Sequence, residues 1–210
     1  MIAWFIDLVL HLDRHLLEVL SQYHVWIYPI LFAVIFAETG LVVTPFLPGD
    51  SLLFAVGALA AVDTSGTLSA PALNALLGVA AVLGNTTNYA IGRRIGPPAF
   101  SGRYRFLKVE YLQRTEAFFA RFGGLAIALS RFMPIVRTFA PFVAGVGCMP
   151  YARFQGYNIL GGLSWVTLFL WGGYLFGNIP LVKRNFGLVT ILIVVLSLVP
   201  AGVAYMRRRR

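Results

Sequence analysis

Two apolar stretches of the sequence each hold a pair of like charges beside prolines. In residues 36–53 the charges are the acids Glu38 and Asp50, and in residues 129–145 they are Arg131 and Arg137. Ionisable groups at membrane depth are costly and commonly mark a substrate or ion path. Proline-interrupted apolar segments at matching places in two halves of a chain are typical of a transporter site. The interrupting residues are Pro45, Pro48 and Gly49 in the first stretch and Pro134 and Pro141 in the second.

The two kinds of charge suit two kinds of chemistry. A guanidinium group is a planar fork of donors that binds phosphate oxygens bidentately, so Arg131 and Arg137 are the predicted phosphate ligands. Burial favours a protonated carboxylic acid, whereas a neighbouring arginine favours the carboxylate, so Glu38 and Asp50 are the predicted proton- or ion-coupling groups. A structural alternative stands beside this interpretation. The four charges sum to zero, and they could be salt bridges that lock the segments together.

A few uncharged residues in apolar sequence are predicted to support this site. Asn85, Asn88 and Tyr89 suit hydrogen bonds between helices. Trp165 is expected to be a packing residue or an interface anchor rather than a ligand platform. Cys148, the single cysteine, is expected to be a small buried hydrophobe and excludes an intramolecular disulfide.

No enzyme, metal or other cofactor is predicted. His11 and His15 have a spacing that could share a metal, but no third ligand is placed nearby. All three histidines precede residue 25, away from both charged stretches. A glycine loop ending in Gly-Lys-Ser/Thr is absent from the sequence, which disfavours ATP-driven pumping by this chain alone.

The composition predicts an integral membrane protein that forms a single domain over residues 1–210. Hydrophobic residues make up 59% of the chain and charged residues only 12%, against about 25% in a typical soluble domain. The net charge of +9 comes from local clusters, which is typical of cytoplasmic loops and tails rather than of a nucleic-acid binder. The N-terminus does not resemble a signal peptide. The basic clusters are Arg93, Arg94, Arg103, Arg105, Lys108, Arg114 and Arg121, then Arg207, Arg208, Arg209 and Arg210.

The expected fold is all-α. Helical spacing of apolar residues predicts two amphipathic interfacial helices. The proline-interrupted segments are predicted to be re-entrant helical hairpins, because a continuous helix would have to absorb the prolines. Plain apolar runs predict membrane spans. The predicted elements are amphipathic helices 3–20 and 108–122, hairpins 26–62 and 124–149, and spans 70–92, 156–178 and 186–206.

The basic clusters also predict an orientation. The positive-inside rule places residues 93–121 and the C-terminus in the cytoplasm. The two hairpins then enter from opposite faces, with Lys183 and Arg184 as misfits outside. The halves, about 1–95 and 103–206, form an inverted-topology repeat, a common plan for secondary transporters.

Several motifs, taken together, resemble one membrane-protein family. Glu38-Thr-Gly, Pro45-Phe-Leu-Pro-Gly-Asp50 and Gly84-Asn-Thr-Thr-Asn-Tyr89-Ala-Ile-Gly-Arg93 look like the first half of a DedA-family protein, also called SNARE-associated or VTT-domain proteins. Ser130-Arg-Phe-Met-Pro-Ile-Val-Arg137-Thr-Phe-Ala-Pro141, Ala144-Gly145, and Asn158 with Trp165 look like its second half. The resemblance covers roughly residues 25–180. It departs at Asn85, where many relatives have Asp, and at Ile135, where Gly is usual.

The resemblance implies a multi-pass protein of the bacterial inner membrane that is needed for envelope integrity. Members of the family are described as proton- or cation-dependent transporters. Some translocate undecaprenyl phosphate, and others flip or scramble phospholipids. Glu38, Asp50, Arg131 and Arg137 match the positions that the family needs for activity.

The leading hypothesis is therefore a secondary transporter or flippase of an anionic lipid, most concretely undecaprenyl phosphate, coupled to protons or cations. One alternative is a proton-coupled antiporter of a small ion or solute, and another is a flippase or scramblase of a phospholipid such as phosphatidylethanolamine. A structural protein that organises the envelope is a third. The expected partners are membrane lipids and protons or cations, with a homo-oligomer open and no nucleic acid. The sequence leaves open the substrate, the coupling ion and the direction of transport.

Overall fold

The regular elements in the described part of the chain are all helices, and no strand is present there. In the computed structural model the described part comprises residues 26–40, 49–63, 66–95, 119–120, 122–176 and 179. The all-α prediction is confirmed for these residues. The predictions for helix 3–20, most of helix 108–122, Pro45, Pro48 and span 186–206 lie outside them. The helices are α1 (Ile27–Gly40), α2 (Gly49–Val62), α3 (Ala70–Ile95), α4 (Leu125–Ser130), α5 (Pro134–Val146) and α6 (Tyr151–Phe176).

Two of these helices, α3 and α6, are long and apolar enough to cross a membrane. Each has 26 residues, or about 39 Å at 1.5 Å per residue, whereas the hydrocarbon core is ~30 Å thick. Arg93 and Arg94 lie in the last turn of α3, where cations interact favourably with the helix dipole. Helix α6 begins at Tyr151, earlier than the predicted 156, because the carbonyl of Pro150 already accepts the N–H of Phe154.

Helices α1 and α2 flank the first proline-rich interruption and are short. Each has 14 residues, or ~21 Å, which is less than the ~30 Å that a straight span needs. The two helices therefore fit the predicted hairpin in length and position. Re-entry of the pair from one face stays a prediction.

The second interruption lies before Pro134 rather than at it. Helix α4 ends at Ser130, residues 131–133 form turns and a bend, and Pro134 starts α5. The first helical position tolerates proline because its N–H has no intrahelical partner. Pro141 lies inside α5, which continues past it to Val146. The expectation that Pro141 interrupts this segment is therefore wrong.

Helix α5 ends in a Schellman motif with a cysteine at the left-handed position. The N–H of Cys148 bonds to the carbonyl of Gly145, and the N–H of Met149 bonds to that of Ala144. Cys148 has a φ of 53°, at the position where glycine is usual. Its side chain is exposed. The prediction that Cys148 is buried is therefore wrong, because the turn that ends α5 directs it outward.

The two short helices of each pair, α1 with α2 and α4 with α5, pack on different long helices. Helix α1 packs mainly on α3 and α2 on α6, whereas α4 packs on α6 and α5 on α3. In each half, then, the first short helix lies on the long helix of its own half and the second lies on that of the other half. The division into pseudo-repeat halves and the inverted repeat stay predictions.

Helices α3 and α6 run antiparallel and form the centre of the bundle. The hydroxyl of Thr86 donates to Gln155 at 3.1 Å, and Gly78 lies against Leu163. The larger apolar core lies between these helices, α1 and α2. Leucines such as Leu83, Leu160 and Leu168 are exposed on the outer faces, where lipid would cover them.

Candidate functional site

Three short helices meet at one buried arginine. Glu38 lies near the end of α1, Asp50 in the first turn of α2, and Arg137 in the first turn of α5. The guanidinium Nη2 donates to Glu38 Oε1 at 2.6 Å, and Nη1 donates to Asp50 Oδ1 at 2.8 Å. One planar fork therefore spans two carboxylates from two helices. These two hydrogen bonds connect α5 with α1 and with α2.

This group of three charges is removed from solvent. The exposed fractions are 3% for Glu38, 8% for Asp50 and 6% for Arg137. Removing one partner of such a buried pair typically costs 3–5 kcal/mol, because the other charge is left uncompensated. Any event that separates Arg137 from the acids must therefore supply a replacement charge or a proton.

Trp165 of α6 connects a fourth helix to this group. Its indole Nε1 donates to Asp50 Oδ1 at 2.8 Å, and its side chain is fully buried. The guanidinium carbon of Arg137 lies 5.2 Å from the centre of the indole ring and that of Arg131 lies 5.8 Å from it. Both distances suit a cation–π interaction. The prediction of a packing residue or interface anchor was too narrow, because Trp165 also contacts an acid and both arginines.

Gly49 makes room for the Glu38 carboxylate at the start of α2. A Cβ atom added at Gly49 would lie 1.9 Å from Glu38 Oε2, so a larger residue cannot fit without moving the acid. Glu38 Oε2 is buried and accepts no well-aligned hydrogen bond from the described residues. Asp50, one position later, occupies the helix N-terminus, where a negative charge is favourable.

Arg131 is held differently from Arg137. It is 1% exposed and lies in the turn after α4. Its Nη2 donates to the carbonyl of Ala81 at 3.0 Å and to Asn158 Oδ1 at 2.9 Å. With its oxygen turned toward the guanidinium, the Asn85 amide accepts from Nη2 at 2.9 Å and from Nε at 3.3 Å. That orientation is assigned from the hydrogen-bond network. Among the described residues, no carboxylate forms a salt bridge with Arg131.

The polar residues of α3 hydrogen-bond to neighbouring segments, as predicted for Asn88 and Tyr89. Asn88 Nδ2 donates to the carbonyls of Thr39 and Thr138 at 3.4 and 2.9 Å, and so connects α1 with α5. The hydroxyl of Tyr89 donates to the carbonyl of Met149 after α5. The predicted hydrogen bonding between helices is therefore confirmed for Asn88, whereas Tyr89 bonds to the segment between α5 and α6.

Asn158 is a member of the site that residue chemistry alone did not single out. Its Nδ2 contacts the carbonyl of Val82 at 3.0 Å, Thr86 Oγ1 at 3.3 Å and Gln155 Oε1 at 3.4 Å. Thr86 and Gln155 are half-buried. A line of polar groups therefore runs from Arg131 along the α3–α6 contact toward the surface. The usable sequence signal was an amide near the start of a predominantly apolar span.

The structure brings most of the predicted site residues into one region. Within the described residues, no group of three metal-binding side chains is present. The cluster can hold an anion with its arginines and exchange protons at its carboxylates. The residues in mutual contact are Glu38, Gly49, Asp50, Arg137 and Trp165. Beside them lie Arg131 and Asn85. Tyr89 faces the end of α5, and α5 itself contains Pro134 and Pro141.

Comparison with known proteins gives consistent matches over most of the chain. The VTT domain matches residues 47–175. Protein DedA of Escherichia coli (strain K12) is 48% identical over 211 positions, covering 100% of this chain and 96% of the relative. Uncharacterized membrane protein Rv0364 of Mycobacterium tuberculosis (strain H37Rv) is 43% identical, covering 85% and 78%. Inner membrane protein YghB of Escherichia coli (strain K12) is 37% identical, covering 93% and 90%. No solved structure matches the chain.

Proposed function

This chain belongs to the DedA family of VTT-domain membrane proteins, and from that premise we propose that it transports an anionic lipid, undecaprenyl phosphate, across the inner membrane. One observation carries the proposal. Arg137 binds two buried carboxylates where α1, α2 and α5 meet. Ionisable groups inside a membrane protein mark a pathway by default.

The arrangement supports coupling of phosphate movement to a proton or cation gradient. Phosphate oxygens compete with carboxylates for guanidinium donors. When a phosphate takes donors from Arg137, Glu38 or Asp50 loses its counter-charge. An unpaired buried carboxylate is costly, so the acid takes up a proton or a cation. Release of the phosphate reverses the exchange.

The proposed substrate is a lipid because of where the site lies. Glu38, Asp50 and both arginines are surrounded by apolar helices, with apolar side chains exposed on α3 and α6. A long prenyl chain can remain in the bilayer while its phosphate enters the cluster. In this proposal the hairpins enter from opposite faces and the C-terminus is cytoplasmic.

Reconstitution of the purified chain into proteoliposomes tests the proposal. Labelled undecaprenyl phosphate should cross the bilayer faster than in empty vesicles, and an imposed pH gradient should change the rate. Phosphatidylethanolamine in a parallel assay identifies a phospholipid flippase if it alone moves. A pH-dependent flux of a small cation, with no lipid movement, would replace the proposal with ion antiport.

A further inference from the structure

The two buried arginines are in unequal states, although sequence gives no reason to separate them. Arg137 has a carboxylate on each arm of its fork. Arg131 has neutral partners on Nη2, and its Nη1 is buried without a partner among the described residues. Arg131 is thus a buried cation whose hydrogen-bond acceptors are neutral groups.

From this difference we infer that Arg131, which Asn85 and Asn158 hold by hydrogen bonds, is the first group to bind an incoming phosphate. Arg137 stays bound to the two acids until that phosphate arrives. The inference rests on the proposed function, which it deepens by assigning an order to the two arginines. Its basis is the contacts of Arg131 with the two amides.

The energetic argument follows from what an incoming anion must displace. At Arg131 the competitors are amide and carbonyl oxygens, which form weaker hydrogen bonds with a guanidinium than carboxylates do. At Arg137 the anion must displace two charged acceptors, and a buried carboxylate is then left uncompensated. The anion therefore binds Arg131 at lower cost. The unused Nη1 provides a donor that no protein group has to release.

A glycine of α6 lets the helix backbone lie close to the Arg131 guanidinium. A Cβ atom at Gly162 would lie 3.3 Å from Arg131 Nη2, so a glycine leaves space beside the guanidinium. Asn158, which binds Arg131, also donates hydrogen bonds to Thr86 and Gln155, and both of these residues are half-buried. This α3–α6 polar seam (Thr86, Gln155 and Asn158) leads toward the end of the bundle where α3 ends and α6 begins. It provides polar partners for a phosphate on its way to Arg131.

Arrival of a phosphate at Arg131 also explains why Arg137 would respond. When both acids are ionised, the group of Glu38, Asp50 and Arg137 has a net charge of −1. Arg131, which contacts the same Trp165 ring as Arg137, balances that charge. A phosphate that neutralises Arg131 leaves this negative charge without its balance. Proton uptake by an acid then frees part of the Arg137 fork for the phosphate. The order of events couples binding to protonation.

A single isosteric substitution distinguishes this inference from a site in which the two arginines are equivalent. Asn158→Asp places a carboxylate where an amide oxygen now lies 2.9 Å from Arg131 Nη2, and so occupies the receptor with an internal anion. Asn74→Asp is the matched control, because it makes the same change at a half-buried position of α3, seven residues before Ala81 and outside the polar seam. The probe is farnesyl phosphate, with inorganic phosphate and farnesol as parallel ligands, measured by calorimetry on the full chain in detergent.

We expect wild type and Asn74→Asp to bind farnesyl phosphate equally. Asn158→Asp should bind it at least about tenfold more weakly, the equivalent of about 1.4 kcal/mol, with an unchanged or higher melting temperature. Binding of farnesyl phosphate alone identifies a lipid site, and equal binding of inorganic phosphate identifies a free-anion site. Unchanged affinity in Asn158→Asp overturns the order of the arginines while the proposed transport stands. If wild type binds no phosphate compound, the proposed function fails as well.

A second variant keeps the test decisive if Asn158→Asp does not fold. Arg131→Gln removes the charge but keeps amide donors for Asn158 and the Ala81 carbonyl. Arg137 retains both acids in this variant. Loss of farnesyl phosphate binding by folded Arg131→Gln supports the inference, and retained binding contradicts it.

Discussion

The indole nitrogen of Trp165 donates a hydrogen bond to Asp50 at 2.8 Å, so the long helix α6 positions an acid at the start of α2. The contact joins the two halves of the chain at the charged cluster. It also places an aromatic face beside both arginines. Movement of α6 relative to α2 would therefore change the surroundings of Asp50 directly.

Trp165→Phe should impair transport more than it impairs folding. Phenylalanine keeps an aromatic face for the arginines but loses the donor to Asp50. A hydrogen bond to a charged group contributes roughly 1.5–3 kcal/mol, and we expect transport to fall about tenfold or more. Proteoliposome flux and thermal unfolding measure the two effects. Trp171→Phe, at a half-buried tryptophan that packs on Tyr174, is the control, and an equal loss in both variants would contradict the role of the Asp50 contact.

Arg137→Lys should abolish transport although the charge is retained. A lysine ammonium is a point charge and cannot reproduce the fork that reaches Glu38 and Asp50 together. Arg131→Lys should also fail, because lysine loses the several contacts with Asn85, Asn158 and the Ala81 carbonyl. Complementation of a strain that lacks its DedA-type proteins, with protein levels checked by immunoblot, measures this. A purely structural salt bridge predicts instead that lysine largely suffices, and full rescue by both variants would favour that explanation.

Gly49→Ala should disrupt the site through geometry alone. The new methyl group would lie where the Glu38 carboxylate now lies, so the acid must move away from Arg137. We expect lower transport and a loss of roughly 1–3 kcal/mol in unfolding free energy from overpacking. Gly156→Ala is the matched control in α6, because a Cβ atom there meets nothing within 4 Å. Wild-type transport by Gly49→Ala would show that the position of Glu38 is not critical.

The inverted orientation predicts a specific labelling pattern. In a Cys148→Ser background, a cysteine introduced near residue 63 should react with an impermeant thiol reagent added to intact cells from outside. Cysteines near residues 102 and 153 should react only after permeabilisation. The exposed native thiol makes removal of Cys148 necessary. Labelling of residue 102 from outside would overturn the orientation and the inverted repeat together.

The sequence was sufficient to predict the charged residues of the cluster and the elements that carry them. Glu38, Asp50, Arg131 and Arg137 were recognisable because charges are rare in apolar sequence, and the proline-rich interruptions indicated where helices end. The all-helical class followed from composition and periodicity. These features depend on local chemistry, which a sequence displays directly.

The pairing within the cluster could not be predicted, because it depends on how distant helices pack. Two acids and two arginines suggest two pairs, yet Arg137 takes both acids and Arg131 takes amides. Trp165 and Asn158 acquire their contacts only from the position of α6. The interruption before Pro134 was misplaced for a different reason, since proline starts a helix as readily as it ends one.

The most direct test of the central claim compares wild type with Glu38→Gln and Asp50→Asn in proteoliposomes that contain labelled undecaprenyl phosphate under an imposed pH gradient. These amides keep the shape of each side chain but cannot exchange a proton. We predict that wild type moves the lipid at a rate set by the gradient. Each folded variant should fall to the rate of empty vesicles. Gradient-driven transport at the wild-type rate by both variants would contradict the account.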